Sequence, residues 1–326
     1  MRKFPTPIVV ISRCLEFDHV RYNGGIVKSD FVRTIKDHVH CIPVCPEVEI
    51  GLGIPRDPVR IVRSDNQDRL MQPATGNDYT EEMVEFSRQF LHALPAVDGF
   101  ILKSKSPTSG YRDVPIYPSL GRSAPIDKGA GFFARVILEL FSGLPIEDEG
   151  RIRNHRIRDH FLTFLYCMTE FREVKETHDI RQLLEFHSRN KILLMVHDQK
   201  ITDELGRLLA QHTQEPFEAV ASRYDMLLRA AFKRPAQYTS NINALLHTLG
   251  HFSKRLNHEE KALFLDAIEQ YRNGRTSIAP AKMILREWIA RFGDDYLFNQ
   301  TFFSPYPEAL FDTEVSETDR GRDFWD

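Results

Sequence analysis

Along the first 150 residues, short β-branched runs alternate with amphipathic stretches. Ile8-Val9-Val10-Ile11-Ser12, the run from Val39 to Val44, and Gly99-Phe100-Ile101-Leu102 are brief, apolar and bounded by turn residues, and each reads as a strand. Ser29 caps a helix expected over Asp30 to Asp37. Met83, Phe86, Phe90, Leu91 and Leu94 recur at helical spacing and predict a helix from Thr80 to about Ala93. A third helix is expected from Gly131 to Phe141. Val59-Arg60-Ile61-Val62 and Arg69-Leu70-Met71 flank the polar turn Asp65-Asn66-Gln67-Asp68 and predict a hairpin. Val114-Pro115-Ile116-Tyr117 reads as an edge strand, because its proline removes a ladder donor. The alternation predicts an α/β domain with three parallel strands. Their carboxyl ends converge on one site, where ligands of open α/β sheets bind.

Beyond Ile146 the pattern changes. The basic stretch Arg151 to His160 leads into the apolar Phe161 to Cys167, and from there no strand alternates with a helix. Helical patterns follow one another at about 179–197, 200–212, 215–233, 239–255, 257–273 and 278–292. They predict an all-α second domain packed through apolar stripes. The expected organisation is an α/β domain over 1–150, a helical connector over 151–178, a helical domain over 179–310 and an acidic tail over 311–326. Phe302 to Pro307 is expected to lie across the helical domain, and the acidic end from Asp312 to fray.

Composition narrows the function classes. At 326 residues, two domains are a better expectation than one core. A net charge of -3 gives no whole-chain pull towards nucleic acid. No run approaches the roughly 18 apolar residues of a membrane span. The opening Met-Arg-Lys-Phe-Pro lacks a signal core, so a cytoplasmic protein without a membrane partner is expected. Four cysteines in a chain of this length read as buried, metal-binding or reactive rather than as a disulfide scaffold.

Candidate chemistry gathers at the strand ends. The second strand stops at Cys45-Pro46-Glu47, where a loop punctuated by Gly51, Gly53 and Pro55 is expected to open. The first runs into Arg13-Cys14, and the third into Lys103 to Gly110. On spacing alone, Cys14 and Cys45 fit small buried residues as well as metal ligands. Glu47 is the candidate acid–base group, or equally a loop carboxylate capping backbone donors. Lys103, Ser106 and Ser109 are positioned to offer hydrogen-bond donors to a ligand, although Ser106 before Pro107 equally suits a turn. Arg21, Tyr22 and Asn23 either bind substrate or lock their loop. Cys41 lies about 13 Å from Cys45 along an extended strand, at roughly 3.3 Å per residue, so packing suits it better than a shared metal. Cys167, in an apolar helical run, reads as core. His247 and His251 share a helix face, but no Glu follows His247, and packing or surface hydrogen bonds are expected. Arg151, Arg153, Arg156 and Arg158 alternate with acidic and apolar residues and read as a salt-bridged helix start, phosphate contact being the weaker option.

Three signatures resemble the 2-thiouracil desulfurase family. They are Ser12-Arg13-Cys14-Leu15 with Val20-Arg21-Tyr22-Asn23-Gly24, Pro43-Val44-Cys45-Pro46-Glu47 with Gly51-Leu52-Gly53-Ile54-Pro55-Arg56, and Ile101-Leu102-Lys103 with Ser106-Pro107-Thr108-Ser109-Gly110. The resemblance implies a Rossmann- or flavodoxin-like α/β fold and a [4Fe-4S] cluster held by three cysteines, whose open iron takes sulfur from a thiolated base while water completes the exchange. Where the family carries its third cysteine, this chain has Ser109, so the cluster expectation rests on Cys14 and Cys45. The second half resembles the uncharacterised YbgA-like domain at Glu185 to Lys191, Tyr238 to Asn243 and Gly250 to Lys254. The implied function is sulfur removal from a thiolated pyrimidine or similar small thio-compound, with Glu47 and Ser106 catalytic. Arg21, Tyr22, Asn23, Lys103 and Ser109 would then bind substrate. The alternative is a non-catalytic small-molecule binding or adaptor protein whose helical domain engages a protein or nucleic acid.

Overall fold

The computed structural model describes residues 2–311. They form two compact units: Phe4–Leu165 with Arg2 and the segment beginning at Tyr306, and Tyr166–Pro305 with Lys3. The acidic end from Asp312 lies outside the described residues.

The first unit is built on a parallel sheet of order β2-β1-β5-β8, with β1 Ile8–Ser12, β2 His40–Val44, β5 Gly99–Leu102 and β8 Ile146–Asp148. The central strands β1 and β5 are buried almost throughout, which is why both read as unbroken apolar runs. β2 lies at the edge, where Pro43 is tolerated. The short strand β8 carries a single apolar residue, so hydrophobic patterning gives no sign of it.

A second sheet has the order β4-β3-β6-β7, with β3 Arg60–Ser64, β4 Gln67–Met71, β6 Val114–Tyr117 and β7 Asp127–Gly129. The hairpin of β3 and β4 is antiparallel, as its turn residues predict. β6, expected at an edge, lies between β3 and β7. Its parallel pairing with β3 begins at Ile116, one residue after Pro115, so the ladder avoids the missing donor.

Helix α1 (Asp30–Ile35) begins where Ser29 Oγ accepts the Val32 N–H. α2 (Pro46–Glu49) is a single turn with proline in its first positions, a place where the missing N–H costs nothing. That turn occupies the start of the expected loop. α3 (Thr80–His92) meets α4 (Phe132–Leu140) through the rings of Phe86, Phe90 and Phe133, whose centroids lie 5.6–6.3 Å apart. α5 (His155–Glu176) starts where Asn154 Oδ1 accepts the N–H groups of Arg156 and Ile157.

The second unit is helical: α6 Ile180–His197, α7 Gln199–Ala210, α8 Phe217–Ala231, α9 Tyr238–Phe252, α10 His258–Arg272, α11 Ala279–Phe292 and the single turn α12 Asp295–Phe298. Asp179 caps α6, Asp198 caps α7, and Asn257 with Glu260 forms a capping box on α10. Phe171, Phe186 and Tyr224 pack ring to ring at 5.3–6.0 Å. Gln300 inserts its amide into α6, accepting the Ile192 N–H at 3.1 Å and donating to the Ser188 carbonyl at 2.8 Å. Thr301 donates to the buried Asn190 amide oxygen at 2.8 Å, and Phe302 and Phe303 are buried beside it in sequence. Among the described residues, no helix is long and apolar enough to cross a membrane.

Candidate active site

The carboxyl ends of β1, β2 and β5 surround a cavity of about 380 Å³. β1 delivers Ser12, Arg13 and Cys14; β2 delivers Val44, Cys45 and, through the turn of α2, Glu47; β5 delivers Lys103 to Ser109. The loop after β1 adds Val20, Arg21 and Tyr22. These segments are stitched together by short polar contacts. The Lys103 N–H bonds Ser12 Oγ at 2.9 Å, the Arg13 N–H bonds the Val44 carbonyl at 2.8 Å, and the Cys45 thiol faces the Val20 carbonyl at 3.8 Å.

Cys14 and Cys45 are both buried and unbridged. Burial pushes the Cys14 thiol up to about 12; the Cys45 sulfur adds to that rise and Lys103 opposes it. Burial raises Cys45 as well, against the N–H of Val48. Both shifts favour the protonated thiol.

Glu47 is the node of the site. Its Oε2 accepts from Arg56 Nε at 3.0 Å and Nη2 at 2.5 Å, and its Oε1 accepts from Thr108 Oγ1 at 3.0 Å. Arg56 also donates to the carbonyls of Val20 and Gly53, and its own N–H bonds the Tyr22 carbonyl. Because Thr108 spends its proton on Glu47, the 3.0 Å contact between Ser106 and Thr108 has Ser106 as donor. A hydroxyl chain therefore runs from Ser106 through Thr108 to Glu47. Ser106 Oγ in turn accepts the N–H groups of Thr108 and Ser109, so it both shapes the turn and belongs to the chain.

Lys103 is held by Glu149 at 2.6 Å, and Glu149 also accepts the Ser104 N–H and hydroxyl. Burial alone would raise the Glu149 carboxyl, but Lys103 and Ser104 together hold it below its usual range. Arg21 lies over the Tyr22 ring at 5.5 Å, at the cavity wall.

The structure thus brings Cys14, Cys45, Glu47, Ser106, Ser109, Lys103, Arg21 and Tyr22 around one cavity. Asn23 lies outside its lining and accepts the Gly25 N–H, shaping the loop. Cys41 also lies outside it, with its thiol 4.0 Å from the Val39 carbonyl. His251 contacts Asp294 at 3.4 Å and stacks on Tyr296, while its neighbour His247 is exposed. Arg151 pairs with Glu147 at 2.9 Å, in keeping with a salt-bridged helix start. Three residues that sequence reasoning passed over hold the site together: Arg56, Thr108 and Glu149. Arg56 and Thr108 stand inside the quoted motifs, and Glu149 follows directly on β8.

The donor set suits an iron–sulfur group held by soft ligands, since two buried thiols from separate strand ends share the cavity with a polar wall. Among the described residues, no three His, Cys, Asp or Glu side chains form a metal-binding set.

Fold and site together define an α/β protein with a thiol-lined cavity at the carboxyl ends of its parallel strands. The chain belongs to the 2-thiouracil desulfurase family, which it matches over residues 9–149. Residues 191–307 match a second family, described only as a protein of unknown function, DUF1722. The chain is 25% identical over 158 residues to the uncharacterized protein YbgA of Escherichia coli (strain K12), covering 48% of this chain and 93% of that protein. It is 30% identical over 110 residues to the uncharacterized protein YbbK of Bacillus subtilis (strain 168), covering 32% of this chain and 73% of that protein. A solved structure of a [4Fe-4S]-dependent thiouracil desulfidase, TudS, aligns over 45% of this chain and 94% of its own, with 22% identity and a TM-score of 0.36.

Proposed function

We propose that the first unit removes sulfur from a thiolated pyrimidine or a similar small thio-compound. The net change exchanges C=S and water for C=O and hydrogen sulfide, so no oxidant or reductant is consumed. The observation that carries this reading is the shared cavity of Cys14, Cys45 and Glu47. Cys14 and Cys45 hold an iron–sulfur cluster, which when bound supplies a Lewis-acidic iron with affinity for sulfur.

The remaining roles belong to the chain itself. Glu47 Oε1 accepts one hydrogen bond among the described residues and keeps a lone pair for the proton of the entering water. Arg56 fixes the other oxygen, so the carboxylate enters the reaction already oriented. Ser106 and Thr108 supply the hydroxyl chain that leads to that oxygen. Lys103, anchored by Glu149, and Tyr22, on the cavity wall, contact the heterocycle. Anaerobic reconstitution with iron and sulfide, followed by assay of uracil from 2-thiouracil, tests the proposal. The native chain should form product while Cys14→Ala and Cys45→Ala do not. A native chain that takes up iron and binds thiouracil without releasing sulfide would support a non-catalytic binding protein instead.

A further inference from the structure

Five cationic side chains line the cavity, and four of them are accounted for. Arg56 spends its donors on Glu47, Val20 and Gly53, and Lys103 on Ser104 and Glu149. Arg21 lies over the Tyr22 ring, and Lys105 is exposed to solvent. Arg13 is the exception. Its side chain is 23% exposed, and its Nε is buried without a hydrogen-bond partner. Asp18 Oδ2 stands 3.9 Å from that nitrogen, too far for a hydrogen bond. Nη2 contacts no acceptor among the described residues, and only Nη1 is engaged, with Glu49 at 3.2 Å. Buried donors are ordinarily satisfied, so this one needs a reason.

Nε–H and Nη2–H form one edge of the planar guanidinium and point the same way, so the unspent donors make a two-pronged fork. Its frame is fixed. Arg13 follows directly on β1, its N–H bonds the Val44 carbonyl at 2.8 Å, and its own carbonyl accepts the Asp18 N–H at 3.0 Å. Glu49, on α2, holds the remaining nitrogen. Burial raises the Cys45 thiol, and Arg56 and Arg13 are the cations that oppose it, which puts the guanidinium on the thiol side of the cavity. Glu49 and Asp18 already supply Arg13 with carboxylates, so what it lacks is an acceptor rather than a counter-ion. A neutral carbonyl oxygen meets that need, whereas an anion would add surplus negative charge.

We infer that Arg13 is a specificity-determining residue, whose Nε–H and Nη2–H donate to a ring carbonyl oxygen that the substrate carries in addition to its thiocarbonyl; this rests on the desulfurase reading proposed above. The substrate class narrows accordingly to cyclic thioamides that keep an oxygen carbonyl, such as 2-thiouracil, over thiopyrimidines that lack one. A site built to donate to an oxygen discriminates against the analogue without it, because the buried donors are then left unpaired. The cavity of about 380 Å³ accommodates a ring of this size.

The test measures equilibrium binding of 2-thiouracil and of pyrimidine-2-thione, which lacks the 4-carbonyl, to the full chain before iron is added, so that turnover does not intervene. The native chain should bind 2-thiouracil about tenfold more tightly than the thione, or better. Arg13→Met should lose that preference by weakening 2-thiouracil alone. Glu49→Gln, which removes the ion pair and leaves the donors, should keep it. An equal loss for both ligands in Arg13→Met overturns the assignment, as does a native chain that shows no preference or binds neither. Should Arg13→Met fail to fold, Arg13→Lys decides, because it keeps the charge but replaces the two-pronged edge by a single ammonium, and an unchanged preference overturns the assignment. Sulfide release by the reconstituted native chain reads the desulfurase proposal separately. Its absence beside an Arg13-dependent preference removes that proposal and leaves the contact in place.

Discussion

Arg56 donates two hydrogen bonds to a single oxygen of Glu47, from a side chain only 3% exposed. The same guanidinium holds the carbonyls of Val20 and Gly53, so one buried cation ties together three segments around the cavity. Removing one partner of a buried pair leaves the other charge uncompensated. Arg56→Met should therefore cost about 3 kcal/mol of stability, and Glu47→Gln should recover part of that loss in the double variant. Urea denaturation of the two single variants and the double one checks the coupling. Additive losses would show that the pair carries no mutual energy.

Thr108 relays between Ser106 and Glu47. Replacing it by valine removes a donor to a carboxylate and an acceptor for a serine. The loss of about 1.5 kcal/mol expected for a hydrogen bond to a charged group corresponds to roughly tenfold in kcat. Thr108→Ser keeps the hydroxyl and should restore the rate. KM for 2-thiouracil should move far less than kcat, since Thr108 acts through Glu47.

In the helical unit, His187 Nδ1 lies 3.0 Å from the hydroxyl of the buried Tyr224. Burial, with Lys191 assisting, lowers the imidazole to about 4. Its folded pKa is thus below its unfolded one, and the unfolded chain takes the proton first. The associated stability is present above about pH 6.5 and is lost progressively as pH falls towards 4. NMR titration of the His187 ring should give a midpoint near 4. His187→Asn should flatten the decline in Tm across that window.

Gln300 replaces a ladder hydrogen bond inside α6. Gln300→Ala leaves the Ser188 carbonyl and Ile192 N–H to reorganise or remain unsatisfied, at about 1–3 kcal/mol. Thermal unfolding should register this as a lower Tm. Gln300→Glu keeps the acceptor for Ile192 but loses the donor to Ser188, and should lie between the two.

Much of this architecture follows directly from residue order. Strands β1 and β5 are legible because both are buried almost throughout, and apart from Ser12 at the end of β1 they carry no polar side chain. Most helices show their stripes, and Ser29 marks a helix start. The misses have particular causes. β7 has the sequence Asp-Lys-Gly and lies exposed or half-buried, so no apolar pattern marks it. Pro115 suggests an edge, yet β6 lies inside its sheet because pairing with β3 starts one residue later. At the site, residue types point to Cys14, Cys45 and Glu47, whereas Arg56 and Thr108 acquire roles only through contacts spanning 9 and 61 positions. Such long-range hydrogen bonds leave no local pattern.

The exchange of sulfur for water oxygen is tested most directly by turnover of 2-thiouracil in ¹⁸O-labelled water. The reconstituted native chain should give uracil carrying solvent oxygen at C2, with one sulfide released per uracil, and Cys45→Ala should give none. Uracil formed equally by Cys45→Ala, or the absence of both uracil and sulfide from the iron-loaded native chain, would contradict the account.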